Sequence, residues 1–244
     1  MARELADVLH HFLGEALPGE RLDSASLALL AEPDDALAVG VAWNLAHELA
    51  RLGLNVAWVT SLADEELLPQ AATPGLLRLL SRAEGLPDLW LAAAEASAKL
   101  AAAQAPSLVL LRVPPGWIQP SESAERLLGW TLQLVGPDSL AHERALRLAE
   151  RVRHSQPAAC LGVALHDVRS VHEAESAFTA LDRAFSRRSD ASLTSYGLLL
   201  DEAEVYRSLL ARRPLLRMHP ETRAASALAD MARLLRADFA NDAA

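Results

Sequence analysis

A strand–loop–helix–strand succession near the start of the chain constrains the fold more than any other feature. Residues 26–31 form a short apolar run typical of a strand, and residues 41–52 carry apolar side chains at helical spacing. Gly53 ends that helix, and residues 55–60 indicate a second strand. Together these segments predict a βαβ unit, whose first turn normally receives the phosphates of a nucleotide.

The turn in question lacks the groups that hold phosphate. Residues 33–40 contain two carboxylates, Asp34 and Asp35, and no lysine, because Lys99 is the only lysine of the chain. Triphosphate binding requires glycine amides, a lysine and a magnesium-binding hydroxyl. At an effective dielectric of about 20, a carboxylate some 4 Å from a phosphate charge is repelled by about 4 kcal/mol. The sequence therefore predicts a nucleotide-hydrolase scaffold without its phosphate chemistry.

Later segments continue the alternation of strands and helices. Strands are predicted at 107–113, 131–135, 159–165 and 193–200, and a shorter one at 87–92. Helices are predicted at 93–105, at 140–154 with Ser139 as N-cap, from the end of the strand at 159–165 to about residue 187, and at 221–239. Residues 61–104 are expected to be mostly helical. The fold class is therefore α/β, a doubly wound, mostly parallel sheet flanked by helices. It is expected to form one domain over 21–244, preceded by an amphipathic helix over 1–20.

Charge and cysteine usage restrict the function classes. A formal net charge of −9 disfavours binding to nucleic acid. Cys160 is the single cysteine, so the chain has no internal disulfide and fits a cytoplasmic location. No apolar run approaches the roughly 20 residues that cross a bilayer. Aspartates offset the arginines of the last helix, which predicts packing on the domain and no stable membrane insertion.

Several short segments share their order and spacing with one known family. The segments are Asn44-Leu-Ala46 with Glu48 to Gly53, then Pro114-Pro115-Gly116, then 134–140, and a tail with Gly197, Asp201, Val205, Pro214 and Ser226. They are similar to the first helix, the P-P-G turn and the closing segments of the MinD/ParA family of deviant Walker ATPases, especially its FlhG and BcsQ members. The resemblance covers roughly 26–235 and implies a SIMIBI-type P-loop NTPase fold.

The resemblance breaks at the phosphate loop. With Asn44 as anchor, the family motif K-G-G-x-G-K-[ST]-[ST] falls on residues 33–40. The replaced positions are Pro33 for the signature lysine, Asp34 and Asp35 for glycines, Leu37 and Ala38 for glycine and lysine, and Val39 for the magnesium hydroxyl. We therefore expect a pseudo-ATPase, which is not an enzyme and uses no nucleotide, metal or other cofactor.

Two more catalytic positions of the family are replaced. The water-orienting aspartate after the second strand corresponds to Thr60, and the Walker B aspartate corresponds to Arg112. His166 stands where many members read adenine with an asparagine. Because the Walker B strand adjoins the phosphate loop, Arg112 is expected to pair with Asp34 or Asp35 and close the empty site. The alternative is that these aspartates lie in a solvated loop and cap the following helix.

The resemblance without nucleotide chemistry implies a scaffold or regulator that acts through protein–protein contacts in a flagellar, pilus or polysaccharide-secretion system. The expected partner is a second copy, an active paralogue or a component of that machine, which recruits the chain to the inner membrane or cell pole. Trp117, Pro137 and Ser139 are the expected contact residues. One alternative is a switch that binds a nucleotide or cyclic dinucleotide without hydrolysis. Another is an unrelated enzyme using His166 or the carboxylates at 201–204, although an unfilled base site at His166 and a capped helix start at 201–204 are the preferred interpretations.

Overall fold

The computed structural model describes residues 24–67, 73–101, 106–200 and 202–242, and these residues build a seven-stranded sheet. The strands are β1 (Ala25–Leu30), β2 (Asn55–Ser61), β3 (Leu76–Ser81), β4 (Ser107–Val113), β5 (Trp130–Val135), β6 (Cys160–Leu165) and β7 (Thr194–Leu198). Their order is β3-β2-β4-β1-β5-β6-β7, and each neighbouring pair is parallel. The predicted doubly wound α/β fold is confirmed.

Helices cover both faces of this sheet. They are α1 (Ala36–Arg51), α2 (Leu86–Ala101), α3 (Glu122–Leu127), α4 (Ser139–Ser155), α5 (Val171–Ser186), α6 (Ala203–Leu210), α7 (Leu215–Met218) and α8 (Arg223–Asp242). One hydrophobic cluster lies under α1, α6, α7 and α8, and the other lies under α2 to α5. Side chains of β1 alternate between these clusters, with Leu27 and Leu29 in the first and Ala28 and Leu30 in the second. Burial on both faces explains the continuous apolar runs of the central strands.

The stretch between β2 and β4 differs from its prediction. Residues 87–92, predicted as a strand, belong to α2, whose buried side chains include Leu86, Leu89 and Trp90 at helical spacing. Pro87 suits the first turn of a helix, where its missing N–H costs nothing. The strand β3 lies in a region predicted to be mostly helical. Because it is at the edge of the sheet and half-buried throughout, its pattern does not alternate clearly.

The C-terminal helix packs on the domain, as predicted. Leu228, Met231 and Leu235 of α8 are fully buried in the cluster beneath α1. No helix in the described ranges is both long and apolar enough to cross a membrane. The amphipathic helix predicted over 1–20 lies outside the described residues.

The parallel arrangement decides where functional groups meet. All seven strands end at the same edge of the sheet, so the loops that follow them lie side by side there. The loop between β1 and α1, the 3-10 turn at Leu62–Leu67 after β2 and the end of β4 form one half of this edge. The loops after β5, β6 and β7 form the other half.

Candidate functional site

The loop after β1 is short because α1 begins at Ala36, well before the predicted start at 41. Asp35 caps the helix, and its Oδ1 accepts a hydrogen bond from the Ala38 N–H at 3.0 Å. Leu37, Ala38 and Val39 are buried within the helix. The positions aligned with the family's phosphate-binding residues therefore belong to a packed helix. A carboxylate of the chain itself holds the helix terminus, where a bound anion would otherwise lie.

Close packing fixes the rest of this helix. A Cβ added at Gly40 would lie 2.6 Å from Cγ1 of Val205 in α6, so the two helices touch at a glycine. Asn44, fully buried, donates from Nδ2 to the Gly40 carbonyl at 2.8 Å and to Ser208 Oγ at 3.2 Å. Its Oδ1 accepts from the Leu215 N–H at 2.7 Å. The asparagine of the family-like helix thus joins α1, α6 and α7.

A buried ion pair occupies the region between the first loop and the ends of β2 and β4. Arg112 Nη2 donates to Asp64 Oδ2 at 2.8 Å, and the Thr60 hydroxyl donates to the same oxygen at 2.6 Å. Their relative exposures are 8% for Arg112, 4% for Asp64 and 3% for Thr60. A charge removed this far from water is tolerated only when it is paired and hydrogen-bonded. Asp64 therefore compensates Arg112.

The same guanidinium also holds the loop after β1. Arg112 Nη1 donates to the Pro33 carbonyl at 2.9 Å and to the Glu32 carbonyl at 3.4 Å. The predicted pairing of Arg112 with Asp34 or Asp35 is wrong, because Asp64 satisfies the charge and the loop supplies backbone oxygens. Asp34 is exposed to solvent. For Asp35, the helix-cap alternative is confirmed.

Asp64 is the site residue that the sequence analysis missed. It lies in the 3-10 turn at Leu62–Leu67, within a region predicted as helix. The register of β2 and β4 pairs Val59 with Leu111, which places Thr60 beside Arg112 on the face covered by α1. An arginine at the end of a buried strand needs a carboxylate nearby. That requirement is the signal that would have identified a partner following β2.

The residues proposed for partner contact do not form one cluster. Trp117 is half-buried in the 3-10 turn after β4, against the cluster beneath α2 to α5. Pro137 is half-buried and Ser139 is exposed, both following β5, and β1 separates β4 from β5 in the sheet. Ser139 is wrong as N-cap of α4. Asp138 has that role, because its Oδ1 reaches two amides, those of Leu140 at 2.8 Å and Ala141 at 2.9 Å.

A second polar pair lies after β6 and β7. His166 Nδ1 is 2.9 Å from Glu202 Oε1, and the Asp167 N–H donates to the same carboxylate. Burial opposes the charged imidazole, but the hydrogen bond and charge of Glu202, with Asp35 and Asp167, raise the pKa of His166 above its ordinary value. Burial would raise the pKa of Glu202, and its bond to His166 lowers it. His166 is therefore paired with Glu202.

These groups do not assemble a metal centre or the enzyme site considered at 201–204. In the ranges that the structure describes, no group of His, Cys, Asp and Glu has an arrangement that could hold a metal ion. Asp201 lies outside the described residues, and Glu204 pairs with Arg207 on the surface of α6. At the carboxyl edge of the sheet, charged side chains of the chain pair with one another. Other carboxylates there are exposed to solvent, notably Asp34, Asp138 and Asp167.

Comparisons with known proteins identify the fold. Neither a family model nor a curated protein matches the sequence. Among solved structures, the MinC:MinD cell division protein complex of Aquifex aeolicus matches with a TM-score of 0.65 at 13% identity, over 87% of this chain and 96% of that chain. A ParA family ATPase from Chlorobium tepidum matches with a TM-score of 0.59 at 14% identity, over 89% and 100%. The septum site-determining protein MinD of Pyrococcus horikoshii, complexed with Mg-ADP, matches with a TM-score of 0.56 at 11% identity, over 87% and 96%.

These TM-scores establish a shared fold, and at such low sequence identity they show the fold alone. The chain has the seven-stranded parallel sheet and flanking helices of MinD/ParA-like proteins, and it spans nearly the whole length of the structures it matches.

Proposed function

We propose that this chain is a MinD/ParA-like scaffold or regulator that works without nucleotide hydrolysis. The observation that supports this most directly is the buried Arg112–Asp64 pair. It places a guanidinium where the family motif has its Walker B aspartate. A divalent cation some 4 Å from that guanidinium would be repelled by about 8 kcal/mol at an effective dielectric of about 20. The capped start of α1 adds a second obstacle to phosphate.

Without a nucleotide to change its conformation, the chain holds its partner constitutively. The sequence resemblance to FlhG and BcsQ suggests a flagellar, pilus or polysaccharide-secretion machine as the setting. The partner recruits it to the inner membrane or cell pole. This role rests on analogy of fold and sequence.

The surface that fits a protein partner lies at the carboxyl ends of the strands. We call it the acidic edge. It has exposed apolar side chains at Leu140, Val171 and Tyr206, which are 58%, 55% and 41% exposed, beside the exposed carboxylates Asp34, Asp138 and Asp167. These carboxylates outnumber the exposed guanidinium of Arg169 in the loop after β6, so two copies meeting through this edge would oppose mostly like charges. The charge pattern therefore favours a different protein with a basic contact surface over a second copy.

Capture experiments test this surface. We expect the tagged chain to capture its partner from native cells and the double variant Leu140→Arg/Val171→Arg to lose it. Leu234→Arg is a matched control, because Leu234 is also an exposed apolar residue but belongs to α8. If the double variant retained the partner while the control lost it, the acidic edge would be the wrong surface.

Nucleotide measurements test the loss of ATPase chemistry. Calorimetry with magnesium and ATP or GTP should show no saturable binding up to millimolar concentration, and phosphate release should not exceed that of buffer. Crystals soaked with magnesium and a nonhydrolysable ATP analogue give an independent answer. Three phosphates bound ahead of Ala36 would refute the proposal.

A second candidate function is a switch that binds a nucleotide or cyclic dinucleotide without hydrolysis. The side chains of His166 and Glu202 are 27% and 21% exposed, so this half of the edge is open, unlike the region around Arg112. Saturable binding of a cyclic dinucleotide that His166→Ala abolishes would replace the scaffold with this candidate. Absence of such binding would eliminate it.

A further inference from the structure

The end of α1 remote from the Asp35 cap lines a cavity of about 800 Å³. His47 in the last turns of α1, Thr73 before β3 and Arg217 in α7 line it together. Pro74 and Leu216 contribute apolar surface. A volume of this size falls within the roughly 300–1,000 Å³ typical of sites for small molecules.

Charges in the cavity are unevenly paired. Arg51 forms an ion pair with Glu48 at 2.5 Å, and Arg233 pairs with Asp230. Arg217 has no ion pair or hydrogen bond from its side chain to any residue that the structure describes. Arg217, which is exposed to solvent, therefore lines the cavity without a paired carboxylate.

A neutral imidazole lies next to this guanidinium. His47 Nδ1 is 3.1 Å from the Thr73 hydroxyl, and the Trp43 ring meets the imidazole edge-on, with ring centroids 5.5 Å apart. Burial, and then the charge of Arg217, lower the pKa of His47 to about 4. Near neutral pH, the ring therefore supplies a hydrogen-bonding group and no second positive charge.

We propose that this cavity binds a small organic molecule with a single anionic group, a carboxylate or a phosphate monoester. Arg217 would receive the anionic group through its planar fork, and the body of the ligand would pack against Pro74 and Leu216. One uncompensated guanidinium suits one anionic group. A polyphosphate would leave most of its charge unpaired.

This site lies at the opposite end of α1 from the loop between β1 and α1, so the inference goes beyond the proposed function. The test uses the full chain and follows amide resonances by NMR during titration with phenyl phosphate, benzoate and the neutral analogue benzamide. We expect phenyl phosphate or benzoate to bind at least tenfold more tightly than benzamide, and the shifted resonances to surround His47 and Thr73.

Three variants define the role of the guanidinium. Arg217→Ala and Arg217→Gln should weaken binding of the anionic probe at least tenfold. Arg213→Ala is the matched control, since Arg213 is an exposed arginine that does not line the cavity, and it should bind as the natural sequence does. A thermal melt verifies that each variant is folded.

Three results would overturn the inference. They are equal binding of benzamide and the anionic probes, unchanged binding by both Arg217 variants, or shifts confined to the acidic edge. Inorganic phosphate that bound as tightly as phenyl phosphate would overturn the apolar half of the proposal. None of these results bears on the capture and ATP experiments, so the two proposals can fail separately.

Discussion

The two ends of α1 handle charge in opposite ways. At its N-terminal end, the Asp35 carboxylate is bonded to a helix amide and the Arg112 guanidinium is bonded to Asp64. At its C-terminal end, Arg217 faces a cavity with no carboxylate paired to it among the described residues. The first region is closed by the protein's own groups, and the second is open.

The difference shows that one helix can have one end closed by the chain's own groups and the other end lined by an exposed cation. The Asp35 carboxylate accepts a hydrogen bond from the first turn of α1, and Asp64 compensates the Arg112 guanidinium at the end of β4. At Arg217 no carboxylate among the described residues has this role, and this is the end of α1 where we propose an anion site.

The largest expected effect comes from breaking the Arg112–Asp64 ion pair near the N-terminal end of α1. Asp64→Asn should lower the free energy of unfolding by roughly 3–5 kcal/mol, because it leaves the Arg112 charge buried and unpaired. Urea denaturation measures this. Glu95→Gln removes an exposed partner of Lys99 and should cost at most about 1 kcal/mol. If both changes had equally small effects, the closed end would not depend on its ion pair.

His47, near the C-terminal end of α1, should make the free energy of unfolding depend on pH. Folding lowers the pKa of His47 from 6.5 to about 4. Between these pH values, the imidazole is therefore protonated in the unfolded chain and neutral in the folded chain. Above pH 6.5, His47 therefore does not lower the free energy of unfolding. As pH drops towards 4, the free energy of unfolding falls by roughly 2–3 kcal/mol because of this residue. His47→Gln should remove that part of the pH dependence while other carboxylates titrate as before. Parallel curves for the two proteins would contradict the burial of a neutral imidazole.

Gly40 tests whether packing also closes the N-terminal end. Gly40→Ala places a Cβ 2.6 Å from Val205 Cγ1, and the overpacking should cost about 1–3 kcal/mol, despite the better helix propensity of alanine. In a Val205→Ala background, the same change should cost much less. A double-mutant cycle followed by urea unfolding measures that coupling. Additive effects would show that α1 and α6 do not meet at this position.

The smallest effect should come from the helix cap. Asp35→Ala removes the side chain that accepts from Ala38 and should cost about 1 kcal/mol. Asp34→Ala is the control, since Asp34 is exposed in the same loop, and should change stability by less than about 0.5 kcal/mol. Equal effects in thermal unfolding would mean that the two aspartates are interchangeable.

The sequence predicted the central strands well, because strands buried on both faces are continuous apolar runs, as at Ser107–Val113. It failed for the edge strand β3, whose half-buried residues give no clear period. It gave only the start of α6: a helix start was the preferred interpretation of 201–204, but its extent over Ala203–Leu210 was not predicted. Short helices depend on tertiary packing, which local pattern does not record.

The site shows the same limit. Thr60 and Arg112 stand where the sequence resemblance implies carboxylates, and these residue types can be read from the sequence. The actual partner of Arg112 depends on the turn after β2, which positions Asp64. Two neighbouring residues could also have capped α4, and Asp138 does so in place of Ser139 because its carboxylate reaches two amides. Sequence spacing shows which groups are available, and geometry selects among them.

The Arg112 contacts have a kinetic consequence. They join residues 48 and 79 positions apart, so they can form only when β1, β2 and β4 are already aligned. We expect Asp64→Asn to accelerate unfolding and to leave the refolding rate nearly unchanged, as for a contact made after the rate-limiting step. Stopped-flow chevrons would show this in the unfolding limb. The ion pair would then act as a latch that sets the lifetime of the native state.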